Sequence, residues 1–249
     1  MATLICPDVH ERIDRLLLIE EKFFPKADRI VMLGDFFDAF GPVDLRRVGQ
    51  ICGWINGHVN DPKMTFLGGN HDFHYFFKHD GFKCSGYNPQ KQDVIDANLP
   101  DGIREKFRIF TRVGPYLVSH AGFTEATLQY CTPEVEAEAI KTALAGGFDP
   151  LFGAGYDRGG DQPVGGPTWL DWSNLQHIDD CPQIVGHTHG GTVRYKGGLM
   201  PDADPAWVEY CRKNPAEAPL RSICLDTALR NVAFVDENSG VVTVENIFA

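Results

Sequence analysis

Strand and helix patterns alternate along the first third of the chain, and this alternation constrains the fold more than any other feature. Apolar runs predict buried strands at Thr3 to Cys6, Ile30 to Leu33 and Met64 to Leu67. Helical periodicity near Arg12 to Phe24 and Val43 to His58 separates these strands. The βαβαβ order predicts an α/β fold in which parallel strands carry helices on a face.

The rest of the chain is richer in strand patterns. Runs at Phe107 to Val113 and Tyr116 to His120 flank Gly114 and Pro115, which predicts a hairpin. Two helices are predicted at residues 125–130 and 133–144. Four further strands are predicted at residues 183–185, 222–225, 232–235 and 241–244.

The loops give no sign of a domain boundary. Residues 146–166 are rich in Gly, Asp and Pro and predict a long loop, a class that often carries function. Inserted loops are also predicted at residues 84–98 and 197–214. Because the sequence shows neither a flexible linker nor an internal repeat, we expect one domain over residues 1–249.

The chain is acidic, with a formal net charge of -11 over 249 residues and a sequence pI near 5.2. This charge argues against binding of duplex nucleic acid through a broad electrostatic surface. The same negative charge would repel anionic substrates. Phosphate chemistry therefore requires concentrated local positive charge, for which metal ions are the obvious source.

Seven cysteines are scattered along the chain without a Cys-x-x-Cys pair. Their odd number and spacing predict reduced thiols and disfavour a disulfide framework or a cysteine zinc site. The N-terminal residues turn polar at once, so no signal peptide is expected, and the run Leu16 to Ile19 is too short to cross a bilayer. We therefore expect a cytoplasmic protein without a membrane partner.

Residues with metal-binding side chains follow directly after five of the predicted strands. In open α/β sheets, ligands bind at the carboxyl ends of the strands, so these segments would meet at one edge. The segments are Asp8-Val9-His10, Gly34-Asp35-Phe36-Phe37-Asp38, Gly69-Asn70-His71-Asp72, His120 and Gly186-His187-Thr188-His189.

The donors in these segments are carboxylates, imidazoles and one amide, which suit two divalent ions such as manganese, iron, zinc or magnesium. The two-residue spacing of Asp8/His10 and of His187/His189 would point both side chains the same way on an extended strand end. Two ions about 3.5–4 Å apart need a bridging carboxylate, and they lower the pKa of a shared water.

Each motif also has a structural explanation when taken alone. Gly-Asp-x-x-Asp is commonly a turn with solvated carboxylates, and Gly-Asn-His-Asp suits a turn because Asn and Gly favour left-handed geometry. His74 and His177 are interpreted as structural, and His58 and His79 as surface residues. The combination of five motifs, each after a strand, is what indicates a metal centre.

The order of these motifs resembles that of the calcineurin-like metallophosphoesterases, over residues 2 to about 246. Within that superfamily the chain is most similar to bacterial and phage phosphoprotein phosphatases and to symmetrical diadenosine tetraphosphate hydrolases. The similarity includes the segments His120-Ala121-Gly122, Gly166-Pro167-Thr168-Trp169-Leu170 and Cys224-Leu225-Asp226-Thr227.

The resemblance implies a four-layer α-β-β-α sandwich with two divalent metal ions, for which manganese is our first expectation. Asp35 would bridge the ions, His71 would be the general acid that protonates the leaving oxygen, and Asp38 would orient His71. The resemblance also implies that the other ligands divide between the two ions as Asp8, His10 and His189 for one, and Asn70, His120 and His187 for the other.

Departures from the family pattern affect the expected substrate. Pro7 and Glu11-Arg12 replace glycines around the first motif, and Ala39-Phe40 stands where phosphoprotein phosphatases have Arg-Gly. That arginine grips phosphate in the family, so its absence weakens a phosphoprotein assignment. Arg158 is the candidate replacement and Arg12 a second one, although each also suits a structural role.

We expect hydrolysis of a phosphate ester, in the first place a phosphomonoester from a small molecule, a nucleotide or a phosphoprotein. A phosphodiester or a dinucleoside polyphosphate is the alternative substrate. A non-catalytic scaffold is the remaining alternative, which the intact ligand set and His71 disfavour. Seven aromatic residues near the motifs are expected first to pack in the core, and otherwise to form an apolar wall for a nucleobase: Phe36, Phe37, Phe40, Phe73, Tyr75, Phe76 and Phe77.

Overall fold

A computed structural model describes residues 1–199 and 204–249 and places their strands in two five-stranded sheets. The first sheet contains, in spatial order, Val242–Asn246 (β10), Asn231–Asp236 (β9), Ala2–Cys6 (β1), Arg29–Met32 (β2) and Met64–Phe66 (β3). β1, β2 and β3 are parallel, while β9 pairs antiparallel with both β1 and β10. The parallel order predicted from the βαβαβ pattern is confirmed.

The second sheet contains, in spatial order, Phe110–Val113 (β4), Tyr116–Ser119 (β5), Gln183–Val185 (β6), Arg221–Cys224 (β8) and Arg194–Gly197 (β7). β4 and β5 form the predicted antiparallel hairpin, and β5, β6 and β8 are parallel. β7 was not predicted, because this edge strand has charged residues and alternates between half-buried and exposed positions.

Two helices connect the parallel strands of the first sheet, namely Ile13–Phe23 (α1) and Leu45–His58 (α2). The side chain of Asp44 caps α2 by accepting hydrogen bonds from the amides of Arg46 and Arg47. The other helices are Asn70–Phe76 (α3), Pro89–Asn98 (α4), Asp101–Arg104 (α5), Pro133–Leu144 (α6) and Pro205–Lys213 (α7). No helix within the described ranges is long and apolar enough to span a bilayer.

The two predicted inserted loops are wrong in part, since each contains a helix. α4 occupies most of residues 84–98 and buries only Lys91 and Ile95, so its apolar periodicity is too weak to predict a helix. α7 lies within residues 197–214, of which 200–203 fall outside the described residues. The helix predicted at residues 125–130 is only the 3₁₀ turn Leu128–Tyr130.

Strand side chains alternate between two cores. Leu4 and Cys6 of β1 join the helix-side core, whereas Ile5 joins the core between the two sheets, together with Val118 and Ile184 of the second sheet. On the outer face of the second sheet, Val185 and Cys224 pack with an irregular segment: Leu170, Trp172 and Leu175. These layers confirm an α/β sandwich of two sheets, with the carboxyl ends of the parallel strands at one edge.

Candidate metal centre

The carboxyl ends of β1, β2, β3 and β6 lead into one cavity of about 820 Å³. His10, Asp35, Asn70, His71 and His187 all line it. Four segments that are far apart in sequence therefore meet at this cavity, as the positions of the motifs after strands predict. His120, which follows β5, joins them through Asp35, since its Nε2 lies 3.4 Å from Oδ2 of that residue.

The potential metal-ligand atoms form two overlapping groups, and within each group the atoms lie within 4.8 Å of one another. Asp8, His10 and Asp35 form the first group, and Asp35, His120 and His187 form the second. Oδ2 of Asp35 lies 3.6 Å from Nε2 of His10 and 3.4 Å from Nε2 of His120. Asp35 is thus the shared member, the position that a bridging carboxylate occupies.

Asn70 and His189 complete the set of expected ligands; Asn70 is buried, whereas His189 is exposed. Oδ1 of Asn70 lies 3.1 Å from Nδ1 of His187, so the amide oxygen faces the second group. His189 belongs to neither close group. Its side chain is 61% exposed and lies at the rim of the cavity, with Nδ1 3.5 Å from Oδ1 of Asp226.

Backbone carbonyls orient two of the imidazoles. Nδ1 of His120 lies 2.9 Å from the carbonyl oxygen of Leu33, and Nδ1 of His10 lies 3.0 Å from that of Asp38. Because a carbonyl oxygen only accepts, each Nδ1 carries a proton and donates it. The lone pair of Nε2 is then free to bind a metal.

Four of the candidate residues have left-handed backbone conformations, with φ of 45° at His10, 49° at Asp35, 65° at Asp38 and 63° at His187. Such conformations are costly for residues other than glycine and persist where surrounding contacts hold them. The amide of His10, for example, donates to the carbonyl of Asp35 at 2.7 Å. The extended strand ends expected for the Asp-x-His and His-x-His pairs are therefore wrong, because tight turns deliver these side chains.

Glycines allow the two central carboxylates to lie against the backbone. A Cβ at Gly69 would overlap Oδ1 of Asp35, and a Cβ at Gly186 would overlap Oδ1 of Asp8. Each glycine directly precedes one of the candidate ligands Asn70 and His187. The glycines of these motifs therefore serve close packing around the carboxylates.

The electrostatics of the cavity match a site for cations. Burial, together with the charge of Asp226, raises the pKa of Asp8 well above its usual value. Burial and the neighbouring His120 lower the pKa of His187 to about 3, so its ring is neutral and keeps a lone pair. Burial alone would raise the pKa of Asp35, but His120 and His71 outweigh this effect and hold it well below normal.

In the two groups of potential metal ligands, three buried side-chain atoms have no hydrogen-bond partner among the described residues, namely Asp8 Oδ1, His120 Nε2 and His187 Nε2. Leaving such an atom unsatisfied costs about 1–3 kcal/mol. Bound cations would satisfy all three, and carboxylate, imidazole and amide donors suit divalent ions. The residues present therefore fit a metal centre.

His71 lies beside this centre in a hydrogen-bonded pair. Its Nδ1 is 2.9 Å from Oδ2 of Asp38, as expected for a carboxylate that orients an imidazole. Burial lowers the pKa of His71, but the charge of Asp35 and the hydrogen bond with Asp38 outweigh it and raise the pKa to about 11. Oδ1 of Asp38 also accepts from Tyr75 and Lys91, at 2.7 and 2.9 Å.

The residues that support Asp38 lie outside the sequence motifs of the site. Lys91 is buried, and its Nζ also lies 2.6 Å from Oε1 of Glu11. His74, interpreted as structural, is buried with Nε2 2.8 Å from Oδ2 of Asp38. Lys91 comes from a segment predicted as loop, so no pattern indicated it. Asp226, which lines the cavity, lay within the quoted Leu-Asp-Thr segment and could have been found there.

We call the strand-end residues Asp8, His10, Asp35, Asn70, His120 and His187 the inner wall; Asp8 and His120 belong to it as fully buried residues that do not line the cavity themselves. The outer wall consists of residues 79–86 and 147–161, which contribute Lys83, Cys84, Phe148 and Arg158 to the same cavity. Arg158 pairs with Asp171 through two hydrogen bonds, with Nε 2.8 Å from Oδ2. Arg12, the second arginine considered, is not among the residues that line the cavity.

The aromatic cluster divides between core and cavity. Phe40 is 80% exposed, lines the cavity and lies with its ring centroid 5.1 Å from that of His10. The other six aromatic side chains are buried, as the core-packing interpretation expects. His79 is exposed, whereas His58 is half-buried against Trp54 and is not the surface residue that was expected.

Solved structures with the same fold include phosphatases. A cold-active protein tyrosine phosphatase matches at a TM-score of 0.56 and 16% identity, over 98% of this chain and 78% of that chain. The cold-active protein-tyrosine phosphatase of a psychrophilic Shewanella species matches at a TM-score of 0.53 and 15% identity, over 98% and 80%. At these identities the likeness shows the fold alone.

Sequence comparison identifies the family. No curated protein sequence matches the chain. The family described as calcineurin-like phosphoesterase matches residues 1–196, which is most of the chain and includes every inner-wall residue. This match and the geometry of the cavity agree with the resemblance seen in the sequence. The chain belongs to the calcineurin-like phosphoesterase family, whose members are metal-dependent hydrolases that act on phosphoester bonds.

Proposed function

We propose that this chain hydrolyses phosphomonoesters with two divalent ions held by the inner wall and His189. The single observation that carries the proposal is the set of three unpartnered buried donor atoms beside the His71–Asp38 pair. Asp35 would lie between the ions, since it is shared by both donor groups. When bound, the two ions would supply Lewis acidity and lower the pKa of a water molecule.

His71 is the proposed general acid. Asp38 occupies Nδ1 and fixes the orientation of the ring, which leaves Nε2 to donate a proton to the leaving oxygen. The hydrogen bond with Asp38 favours the protonated form of the ring and so raises its pKa. Tyr75 and Lys91 hold Asp38 from the opposite side, so the pair is fixed before substrate binds.

Arg158 is the proposed phosphate-binding residue. It lines the cavity, and Asp171 holds its guanidinium through Nε and Nη2. Within the described part of the chain, Nη1 makes no hydrogen bond and can donate to a phosphate oxygen. A monoester dianion carries more charge than a diester monoanion and gains more from such a contact.

The shape of the cavity favours a second candidate function, hydrolysis of a phosphodiester or a dinucleoside polyphosphate. About 820 Å³ exceeds what a phosphoryl group needs, and the lining includes Phe40, Phe148 and Trp169. These side chains offer apolar faces to a nucleobase or another planar group. The two candidates make opposite predictions about substrate preference.

Manganese is the proposed native metal, because the donors are carboxylate and amide oxygens and imidazole nitrogens; iron, zinc or magnesium would suit the same set. A reducing compartment such as the cytoplasm is proposed because all seven cysteines are free thiols.

A substrate panel tests the proposal. With the manganese-loaded enzyme, we expect a higher kcat/KM for p-nitrophenyl phosphate than for bis-p-nitrophenyl phosphate or diadenosine tetraphosphate, with the last two still measurable. If kcat/KM for either of these exceeds that for the monoester, the phosphatase proposal fails and the second candidate takes its place.

A further inference from the structure

Three donors that the proposed dinuclear centre does not use as ligands meet beside it. They are Cys84, His74 and His71, and their ligand atoms lie within 4.8 Å of one another. Sγ of Cys84 lies 3.1 Å from Nδ1 of His74 and 3.9 Å from Nδ1 of His71. In tetrahedral zinc sites with one sulfur and two nitrogens, the ligand atoms are about 3.5 Å apart. The cluster therefore already has nearly the spacing of such a site.

His74 is oriented for this role. It is buried, and its Nε2 lies 2.8 Å from Oδ2 of Asp38. A carboxylate at ion-pair distance from one nitrogen of a histidine attracts the proton to that nitrogen and leaves the other nitrogen for a metal. Nδ1 of His74, the atom that faces Cys84, is the one left available.

An ion can reach the cluster from the substrate cavity. Cys84 and His71 both line that cavity, and Cys84 is only partly buried. The three residues supply one thiolate and two imidazoles, and solvent can provide a fourth ligand, the usual arrangement of an open zinc site. The absence of a Cys-x-x-Cys pair disfavoured a cysteine zinc site, but this cluster needs only one cysteine.

We propose that Cys84, His74 and His71 form a third metal site, selective for zinc, and that zinc bound there inhibits the enzyme. Binding releases the thiol proton of Cys84 and the Nδ1 proton of His71 to solvent, and zinc replaces the hydrogen bond between that nitrogen and Oδ2 of Asp38. Once its Nδ1 lone pair binds zinc, His71 cannot become an imidazolium. The inhibition rests on the proposed role of His71 as general acid, whereas the metal site itself does not.

Cobalt(II) tests the site without any assay of activity. A thiolate ligand gives cobalt(II) a charge-transfer absorption in the near ultraviolet, which oxygen and nitrogen donors do not give. Manganese-saturated protein titrated with cobalt should therefore show this band. Cys84→Ser and Cys84→Ala should abolish it, whereas Cys131→Ser, at another partly buried cysteine, should retain it. A wild-type protein without the band, or a band that persists in both Cys84 variants, would overturn the site.

Zinc titration of the manganese-loaded enzyme tests the inhibition. Relative to the zinc-free activity of each variant, the half-inhibitory zinc concentration should rise about 100-fold in Cys84→Ser, since loss of even an outer-shell partner weakens metal binding ~10–100-fold. Equal inhibition of wild type and Cys84→Ser would refute the regulatory role. If no phosphoesterase activity is found while the cobalt band is present, the proposed function fails and the third site stands.

Discussion

The two walls of the cavity differ in how the fold holds them. Inner-wall residues such as Asp8, Asp35 and His120 are at most 1% exposed, and glycine backbone packs directly against both carboxylates. The outer wall comes from loops and short turns, and Lys83 and Arg158 reach the cavity from exposed positions. The inner wall is thus fixed by the sheets, and the outer wall by a few local contacts.

This difference separates chemistry from substrate choice. A buried, close-packed inner wall can hold cations and a proton donor in one geometry for any phosphate ester. The outer wall faces whatever is attached to the phosphoryl group, and loops can change there without disturbing the sheets. Substitutions in the inner wall should therefore affect all substrates alike, and those in the outer wall should depend on the substrate.

Asp35→Asn should have the largest effect. Asp35 is the member shared by both donor groups, so its loss should weaken both metal ions together and lower kcat/KM for every substrate by about 10³-fold or more. Elemental analysis and steady-state kinetics check this, with Asp93→Asn on the exposed face of α4 as the control. Loss of only one ion would show that Asp35 does not bridge.

His71→Ala should have the second-largest effect, with turnover reduced by ~10²–10⁴-fold and the content of manganese nearly unchanged. The loss should be smaller for p-nitrophenyl phosphate than for phosphoserine, because a nitrophenolate needs little protonation to leave. His58→Ala, at a histidine that packs against Trp54 and does not line the cavity, is the control. Equal losses for the two substrates would argue against proton donation by His71.

Gly69→Ala should weaken manganese binding by roughly 10–100-fold, comparable to loss of an outer-shell contact. The new methyl group would overlap Oδ1 of Asp35 and displace that carboxylate. Gly53→Ala is the matched control, because its Cβ would meet nothing within 4 Å in α2 and should stabilise the helix by about 0.5–1 kcal/mol. Unchanged manganese affinity in Gly69→Ala would show that the inner wall is not close-packed.

Arg158→Ala should have the smallest and most selective effect. One charge-assisted contact contributes about 1.5–3 kcal/mol, so kcat/KM for p-nitrophenyl phosphate should fall at least roughly tenfold and that for the diester much less. The exposed Arg46→Ala serves as control. If Arg158→Ala changes kcat/KM for neither substrate, the guanidinium serves only to pair with Asp171.

The inner wall could be predicted from sequence because it follows from strand order. Once βαβαβ and the later strands are assigned, residues directly after each strand must share an edge, which places Asp35 beside His120. The left-handed turns at His10 and His187 could not be predicted, since they depend on contacts with distant segments. The amide of His10 donates to the carbonyl of Asp35, and the amide of His187 donates to Oδ2 of Asp8. The contact between Lys91 and Asp38 could not be predicted either, because the helix that carries Lys91 is only weakly amphipathic and gives no clear helical pattern in the sequence.

Counting the metal ions in manganese-saturated protein tests the central claim most directly. The shared position of Asp35 between two groups of donors predicts two ions per chain. A chelator should remove both ions together and abolish all phosphoesterase activity, and added manganese should restore both the ions and the activity. Elemental analysis showing a single ion per chain at saturation, or full activity in the chelated protein, would contradict the account.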